Sequence, residues 1–523
     1  MPIRMVDDPN DQQDNSNDNS GGGGGGRGPG GGGLLQFLPF IIGLLIRKPI
    51  LLLVVLAGAA LFYFKGGCNQ LGSSSLAQFA LGGTLDPKQF AKAAIYEGLD
   101  PSKNDLPEAV SLLKFAPDRK NQGQQGSCVA WSSAYGARTI LEAASTGVDP
   151  NQTAFSPSFL YNQIGLDGCQ GSYIIRAMET MTKVGAVPFN QFPYDETDCS
   201  RQPGNDLKQE ATQYRMLGFT RLTDGDKINN LDLHAIKEHL SKDVPVVIGM
   251  MVGGSFMQGM MGQEIWHPNE DDYSQMGFGG HALCVIGYDD RKEGGAFQIM
   301  NSWGSDWGQN GIGWVRYNDF KRFTKEAYGL NPLPKRGAAA EKDFDCEIGL
   351  VEAKSRQYIP LQVKNDNIFH TTQIIAKGTT FKIEVKNTIA CYVYVFGMET
   401  DGSSYVLFPY PTKEDPSKTK FSPYCGITGY RLFPKGMSLQ ADELGNKDYM
   451  AVVVSKEPLD VFAINNAINQ QKGSNYAASV DAALRSKLIK NVQFSSTAKG
   501  TISFTTTANE NNMVATVVEM DKQ

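Results

Sequence analysis

The stretch NQGQQGSCVAWSSAYGARTILEAAS, Asn121 to Ser145, sets a lone cysteine between a Gly/Gln-rich turn and a run with helical periodicity. After Cys128, the residues Ala130, Ala134, Ala137, Leu141 and Ala144 recur three or four apart, the spacing of one helix face. Gly123 and Gly126 punctuate the chain just before it. Cys128 thus stands near a helix N-terminus, where unpaired backbone N–H groups and the helix dipole favour negative charge. A thiol there is biased toward thiolate, the nucleophilic form. The competing reading is a small buried hydrophobe that opens a core helix.

Two later stretches supply complementary groups. GFGGHALCVIGYDD (277–290) puts His281 at the mouth of an apolar strand, and QIMNSWGSDWGQNGIGWVRY (298–317) puts Asn301 and Trp303 at the end of the next. A cysteine nucleophile, a histidine that serves as base and then acid, and an asparagine that fixes the imidazole are the parts of an acyl-transfer site. The glycines before His281 let the backbone approach a partner closely. Taken singly, His281 reads as a structural histidine and NSWG as a surface turn.

Together these segments resemble the papain-like cysteine peptidases. The matching residues are Gln122-Gly123, GSCVAWS around Cys128, FSPSFLYN (155–162), GCQGSY (168–173), FPYDE (192–196), Gly280-His281-Ala282, Asn301-Ser302-Trp303-Gly304 and WGQNGIGWVRY (307–317), all in the order expected. The similarity spans about 106–320 and implies a two-lobed α+β peptidase domain over 106–335. It assigns Cys128 as nucleophile, a thiolate held by an imidazolium His281, and Asn301 as the imidazole's orienting partner shielded by Trp303. Gln122 becomes the oxyanion donor, Gly171 and Ser172 the binders of substrate backbone, and Ala282 part of a specificity pocket. The chain departs from the pattern in having Val129 where the family has Trp, with Trp131 two further on, and Gln125 where it has a disulfide cysteine. Cys169 thereby loses its usual partner, and the resemblance offers Cys199 instead. Residues 66–105 are too short for the family's inhibitory pro-segment, which argues against zymogen control. The Met- and Gly-rich segment 253–280 reads as a variable surface loop or as a flap over the site.

The flanking regions differ in composition. Residues 1–33 are Asp/Asn-rich and then Gly-rich, with too little apolar surface to offset ordering entropy, and are expected to be disordered. Two apolar runs follow, 34–46 and 49–64, separated by Arg47-Lys48. We expect 34–64 to be a membrane anchor with 49–64 as the core of one transmembrane helix, although a helix of that length rises only about 24 Å. The basic residues before the span place the N-terminus in the cytoplasm and both domains outside it, in the periplasm of a Gram-negative cell. A hairpin of two short segments, which would turn both domains to the cytosol and disfavour Cys169–Cys199 pairing, is the alternative, and lipid attachment at Cys68 a lesser one. Residues 65–105 read as a linker with a weak helix over 87–99. From 345 to 523, short strand-like runs bounded by turns predict a β-sandwich or barrel, with one late helix over 476–489. This region resembles, more loosely, a β-rich accessory domain of bacterial peptidases and kinases, which implies a bacterial setting and a protein-binding module.

With 523 residues and a net charge of -6, the chain is long enough for two or three domains and lacks the basic stripe of a nucleic-acid binder. The 8 cysteines show no CxxC spacing and the 5 histidines no ligand-like clustering, so no metal or other cofactor is expected. The expectation is a membrane-anchored thiol endopeptidase acting on peptide or protein substrates. The alternatives are a catalytically silent peptidase fold that binds peptides or acts as a scaffold, and a transpeptidase or ligase.

Overall fold

The computed structural model describes residues 2–9, 81–336, 343–471, 475–507 and 511–523. The expectations for residues 10–80, including both apolar runs and Cys68, lie outside the described residues. Among the described residues no helix is long and apolar enough to cross a membrane.

The peptidase-like region has helices on one side and a sheet on the other, as the pattern predicts. Its helical side contains one continuous helical run opened by Cys128–Ala130, continued with π-type geometry over Trp131–Arg138, and closed by Thr139–Thr146. Gly147 ends that run in the left-handed region, where a glycine is adopted without steric cost. The helix Pro157–Ile164 is started by Ser156, whose hydroxyl accepts from the Phe159 N–H, with Pro157 at the first helical position. The sheet runs Phe219–Arg221, Thr324–Leu330, Val246–Val252, Gly279–Asp289, Ala296–Met300, Ile312–Arg316, Ile265–Trp266, with Ala109–Ser111 joined to Gly279–Asp289. Its central strands VVIGMMV and GGHALCVIGYD are nearly continuous apolar runs because both their faces are covered.

The C-terminal region is a β-sandwich, which opens at Asp343–Glu352. The strand Cys391–Met398 shows how one sequence serves two cores. Val393 and Val395 point into the layer between the sheets, while Tyr394 and Phe396 point outward beneath two helices, Val461–Asn469 and Tyr476–Leu484. The first helix escaped the sequence reading, and the second is shorter than expected.

Two corrections follow. Residues 1–33 are not uniformly disordered: Ile3–Asp7 is an edge strand of the sandwich, paired antiparallel with Met437–Ala441. Ile3 is fully buried, and its N–H and C=O both bond the Tyr405 hydroxyl. Asp8 lies 2.6 Å from the buried Lys382 ammonium.

The supposed linker is the second correction. Its helix is confined to Pro87–Phe90, capped by Asp86, and the following chain is largely buried between the peptidase-like region and the sandwich. The Tyr96 hydroxyl and Leu99 N–H donate to Glu238 of the helix Leu233–Ser241. The buried Arg431 guanidinium donates to the Glu97 carbonyl and to Asn387. Lys435 bonds Glu97 through its N–H and Asp232 through its ammonium. Of the three charged residues in 92–100, Lys92 stays exposed and Asp100 bonds Ser102, whereas Glu97 is matched across the junction.

If Ile3 anchors the N-terminal strand, Ile3→Asp should detach it and cost about 2–3 kcal/mol, the burial of one large aliphatic side chain. Urea unfolding and limited proteolysis of the first residues check this; unchanged stability would refute the docking.

Candidate active site

Cys128 begins the helical run behind Ser127 and is 0 % exposed. Its Sγ accepts from the Ala282 N–H at 3.4 Å and also faces the Gly82 N–H. Burial pushes the thiol up to about 12, opposed by the N–H groups of Ala282, Gly82, Val129 and Cys128 itself.

His281 sits near the start of the strand Gly279–Asp289, one residue before Ala282. Its Nε2 lies 2.8 Å from Asn301 Oδ1, which also accepts from the Ser302 N–H. That oxygen can only accept, so Nε2 carries the proton and Nδ1 is left with a lone pair. Nδ1 has no hydrogen-bond partner among the described residues. Trp303 stacks on the imidazole, ring centroids 4.3 Å apart, and is itself buried. Burial draws His281 down to about 4, opposed by Asn301. Burial thus disfavours the charged form of both groups while the site is covered.

Gln122 is fully buried, and its orientation is fixed: Oε1 accepts from the Ser302 hydroxyl at 2.6 Å, leaving Nε2 as a donor, here to the Gln125 carbonyl at 2.9 Å. Ser302 is thus a positioning residue that sequence reasoning passed over, though it stands inside the quoted NSWG. Gly171 has φ 109°, and its N–H donates to the Tyr161 hydroxyl. Cys169 and Cys199 form a disulfide that ties this loop to the segment after FPYDE. Trp131 packs edge-on against Tyr135 and Tyr194, filling the helix face left by Val129. The Met/Gly-rich segment is neither a plain loop nor a flap. Its Phe256 contacts Trp266, Trp303 and Trp307 and accepts from the Trp307 indole N–H, forming a wall behind the His281 shield.

What covers the site is residues 81–85, LGGTL. The Gly83 N–H donates to the Gly280 carbonyl, the Thr84 N–H to the Ser172 carbonyl, and the Ser172 N–H to the Gly82 carbonyl, all at 2.9–3.0 Å. Gly83 thereby pairs with Ser172 as a parallel bridge. Gly171 and Ser172 do hold peptide backbone, but that of the chain itself. The strap shows the thiol an N–H, while its Gly82 carbonyl is turned to Ser172, so it presents no electrophilic carbon to Sγ through that group. A part of the segment that the sequence reads as a linker thus lies in the cleft, its main chain bonded on both sides. The signal in sequence was Gly82-Gly83. A side chain on Gly82 would overlap the Gly126 carbonyl, and one on Gly280 would overlap that of Gly83.

Residues 108–330 match the model of the papain family of cysteine proteases. An uncharacterized peptidase C1-like protein of Acanthamoeba polyphaga mimivirus is 30% identical over 215 residues, covering 39% of this chain and 64% of that protein. Cathepsin B-like CP2 of Giardia intestinalis is 27% identical over 239 residues, covering 42% of this chain and 72% of its own length. Among solved structures, xylellain, a cysteine protease from Xylella fastidiosa, is 21% identical with a TM-score of 0.39, covering 49% of this chain and 95% of that one. The chain thus spans just under two thirds of the viral relative, and the similarity stops short of the β-sandwich.

Overpacking at a clamped backbone costs about 1–3 kcal/mol, roughly a tenfold to hundredfold shift in occupancy. Gly82→Ala should therefore raise the rate of Cys128 alkylation by iodoacetamide at neutral pH at least about tenfold. Mass spectrometry of the labelled peptide reads the rate, and equal rates in both proteins would show that the strap does not control access.

Proposed function

From the membership of residues 108–330 in the papain family of cysteine proteases, we infer that this chain hydrolyses peptide bonds through a Cys128 thioester and is held latent by its own residues 81–85. The observation that carries this reading is the set of fixed roles around Sγ. His281 has one nitrogen committed to Asn301 and the other without a partner, in the residue next to the one whose N–H touches the thiol.

With the strap withdrawn, water returns and the burial that neutralises the pair is relieved. Nδ1 takes the thiol proton, and Sγ attacks the scissile carbonyl carbon. The oxyanion that forms is met by the Cys128 N–H and by Gln122 Nε2, kept donor-side out by Ser302. The imidazolium returns its proton to the leaving amine. A water, deprotonated by Nδ1, then cleaves the thioester and regenerates the thiol. Substrate backbone takes the place of the strap on Ser172, and side chains fall on the Ala282 side of the cleft. The silent-fold alternative draws no support from these residues, since none of the groups is replaced. Transfer to an amine in place of water uses the same atoms.

Cys128→Ala should abolish cleavage of a fluorogenic peptide, and Gln122→Ala should lower kcat about a hundredfold or more. Full activity in Cys128→Ala would refute the assignment, whereas a normal rate in Gln122→Ala would remove only the oxyanion role. In a strap-released variant kcat/KM should follow a bell in pH, rising as the thiol ionises and falling as the imidazole loses its proton. Chelators should leave that profile unchanged.

Attachment to a membrane rests on the sequence of residues 34–64. Taken with the pairing of Ile3–Asp7, it requires the apolar segment to leave and return at one bilayer face. Arg47-Lys48, midway between the runs, favours a cytoplasmic turn and places both domains outside the cytoplasm, where the Cys169–Cys199 disulfide is at home. A bacterial cell is the setting the accessory domain suggests, and a protein partner its role. Tags at the two ends, probed with protease on spheroplasts, should be digested together, and the protein should resist carbonate extraction. Digestion of one tag alone would refute this topology.

A further inference from the structure

A cavity of about 450 Å³ lies where the peptidase-like region, the first strand and the sandwich meet, and it shares no residue with the cleft. Its walls come from Met5, residues 95–97, residues 223–227 of the hairpin formed by Thr223–Asp224 and Lys227–Leu231, and the sandwich segments 410–414, 420–421 and 434–437. Asp224, Asp226 and Lys227 are exposed and mark the mouth, whereas Ile95, Glu97 and Tyr410 are buried and form the floor. The charges at the mouth answer one another: Lys227 pairs with Asp224, and Lys420 with Asp226.

The floor is different. Glu97 Oε2 accepts from the Lys435 N–H at 3.2 Å, but Oε1 has no hydrogen-bond partner among the described residues, and neither has the Tyr410 hydroxyl. Both residues are only 4 % exposed. Burial, and then the charge of Glu97, hold the Tyr410 hydroxyl protonated, so the two groups act in one corner. The neighbouring cations are engaged elsewhere: the Lys435 ammonium with Asp232, that of Lys382 with Asp8, and the Arg431 guanidinium with Asn387 and the Glu97 carbonyl. Burial raises the Glu97 carboxyl to about 7 against their pull.

Two buried polar atoms in one cavity are costly unless something meets both. Ionised, the Glu97 oxygen only accepts, and the phenol oxygen of Tyr410 can also accept. A primary ammonium carries three donors, enough to serve the two oxygens together through strong charge-assisted bonds. Above that corner the walls are apolar and partly aromatic: the Phe421 ring packs edge-on against Tyr410, centroids 5.0 Å apart, beside Ile95, Pro411 and Met437. Such walls suit a flat apolar body, and the volume is that of small-molecule sites.

We propose that this cavity binds a small primary amine carrying a flat apolar body, its ammonium set between Glu97 and Tyr410. The site is distinct from the Cys128 cleft and does not depend on the peptidase reading. Because its walls belong to both regions, an occupant stabilises the junction between them.

The test is calorimetric titration of the full chain at about pH 8, where a carboxyl near 7 is ionised, with three probes of one shape: tryptamine, tryptophol and indole-3-propionate. Tryptamine should bind at least about tenfold more tightly than tryptophol, and the propionate should not bind. Glu97→Gln should lower the tryptamine affinity at least about tenfold, and Tyr410→Phe at least about threefold. Should Glu97→Gln fail to fold, the amine-to-alcohol ratio of the wild type and the Tyr410→Phe variant decide. Equal binding of tryptamine and tryptophol, or tryptamine binding unchanged in a folded variant, overturns the proposal. Binding of none of the probes also overturns it and leaves the two oxygens to solvent. No peptide is cleaved in this measurement, so its failure leaves the peptidase reading intact.

Discussion

Three main-chain hydrogen bonds, from Gly83 to Gly280, from Thr84 to Ser172 and from Ser172 to Gly82, decide the state of this protein. They cover the site, in which Cys128 and His281 are fully buried. Desolvation penalises the charged form of each group, raising the thiol and lowering the imidazole. In the reading proposed above, one strap thereby blocks access and disfavours the nucleophile's charged form by the same physical act. Such a lock is made of backbone, so it places little demand on side chains beyond glycine at the points of closest approach.

Downstream of the strap, the chain enters the junction between peptidase-like region and sandwich, where Glu97, Glu238, Arg431, Lys435 and Tyr96 form a buried polar network. Burial raises both carboxyls to about 7 against the pull of Lys435 and Arg431. Breaking one member leaves an uncompensated polar group, so the junction resists local loosening. The sandwich is thus tied to the strap through the chain that follows it.

The aromatic wall behind His281 shows a similar economy. Trp303 stacks on the imidazole, Phe256 and Trp307 back Trp303, and the buried Met257 and Met260 of the segment that carries Phe256 belong to the same core, while Met276 is exposed. Flexible methionines fill irregular space around large rings. A segment that reads as loop from its glycines is in this way part of the site's rear support.

The sequence by itself determined the candidate catalytic groups, because their chemistry is local to short motifs: Cys128 behind a glycine turn, His281 after two glycines, Asn301 in NSWG, and Gln122 ahead of the turn. It also determined the β-rich character of the C-terminal half through strand-like runs, while Cys199 entered as a possible partner of Cys169 only through the family resemblance. Tertiary structure alone decided that Ile3–Asp7 joins a sheet more than four hundred residues away, because an edge strand of five residues carries no local signal of its partner. It decided that residues 81–85 lie in the cleft, because Gly-Gly reads as linker until the backbones on either side are in place. It decided that Glu97 and Tyr410 share one cavity, because only the folded chain brings together residues so far apart in sequence. And it decided the burial of Cys128 and His281, because desolvation belongs to the assembled site and to no motif within it.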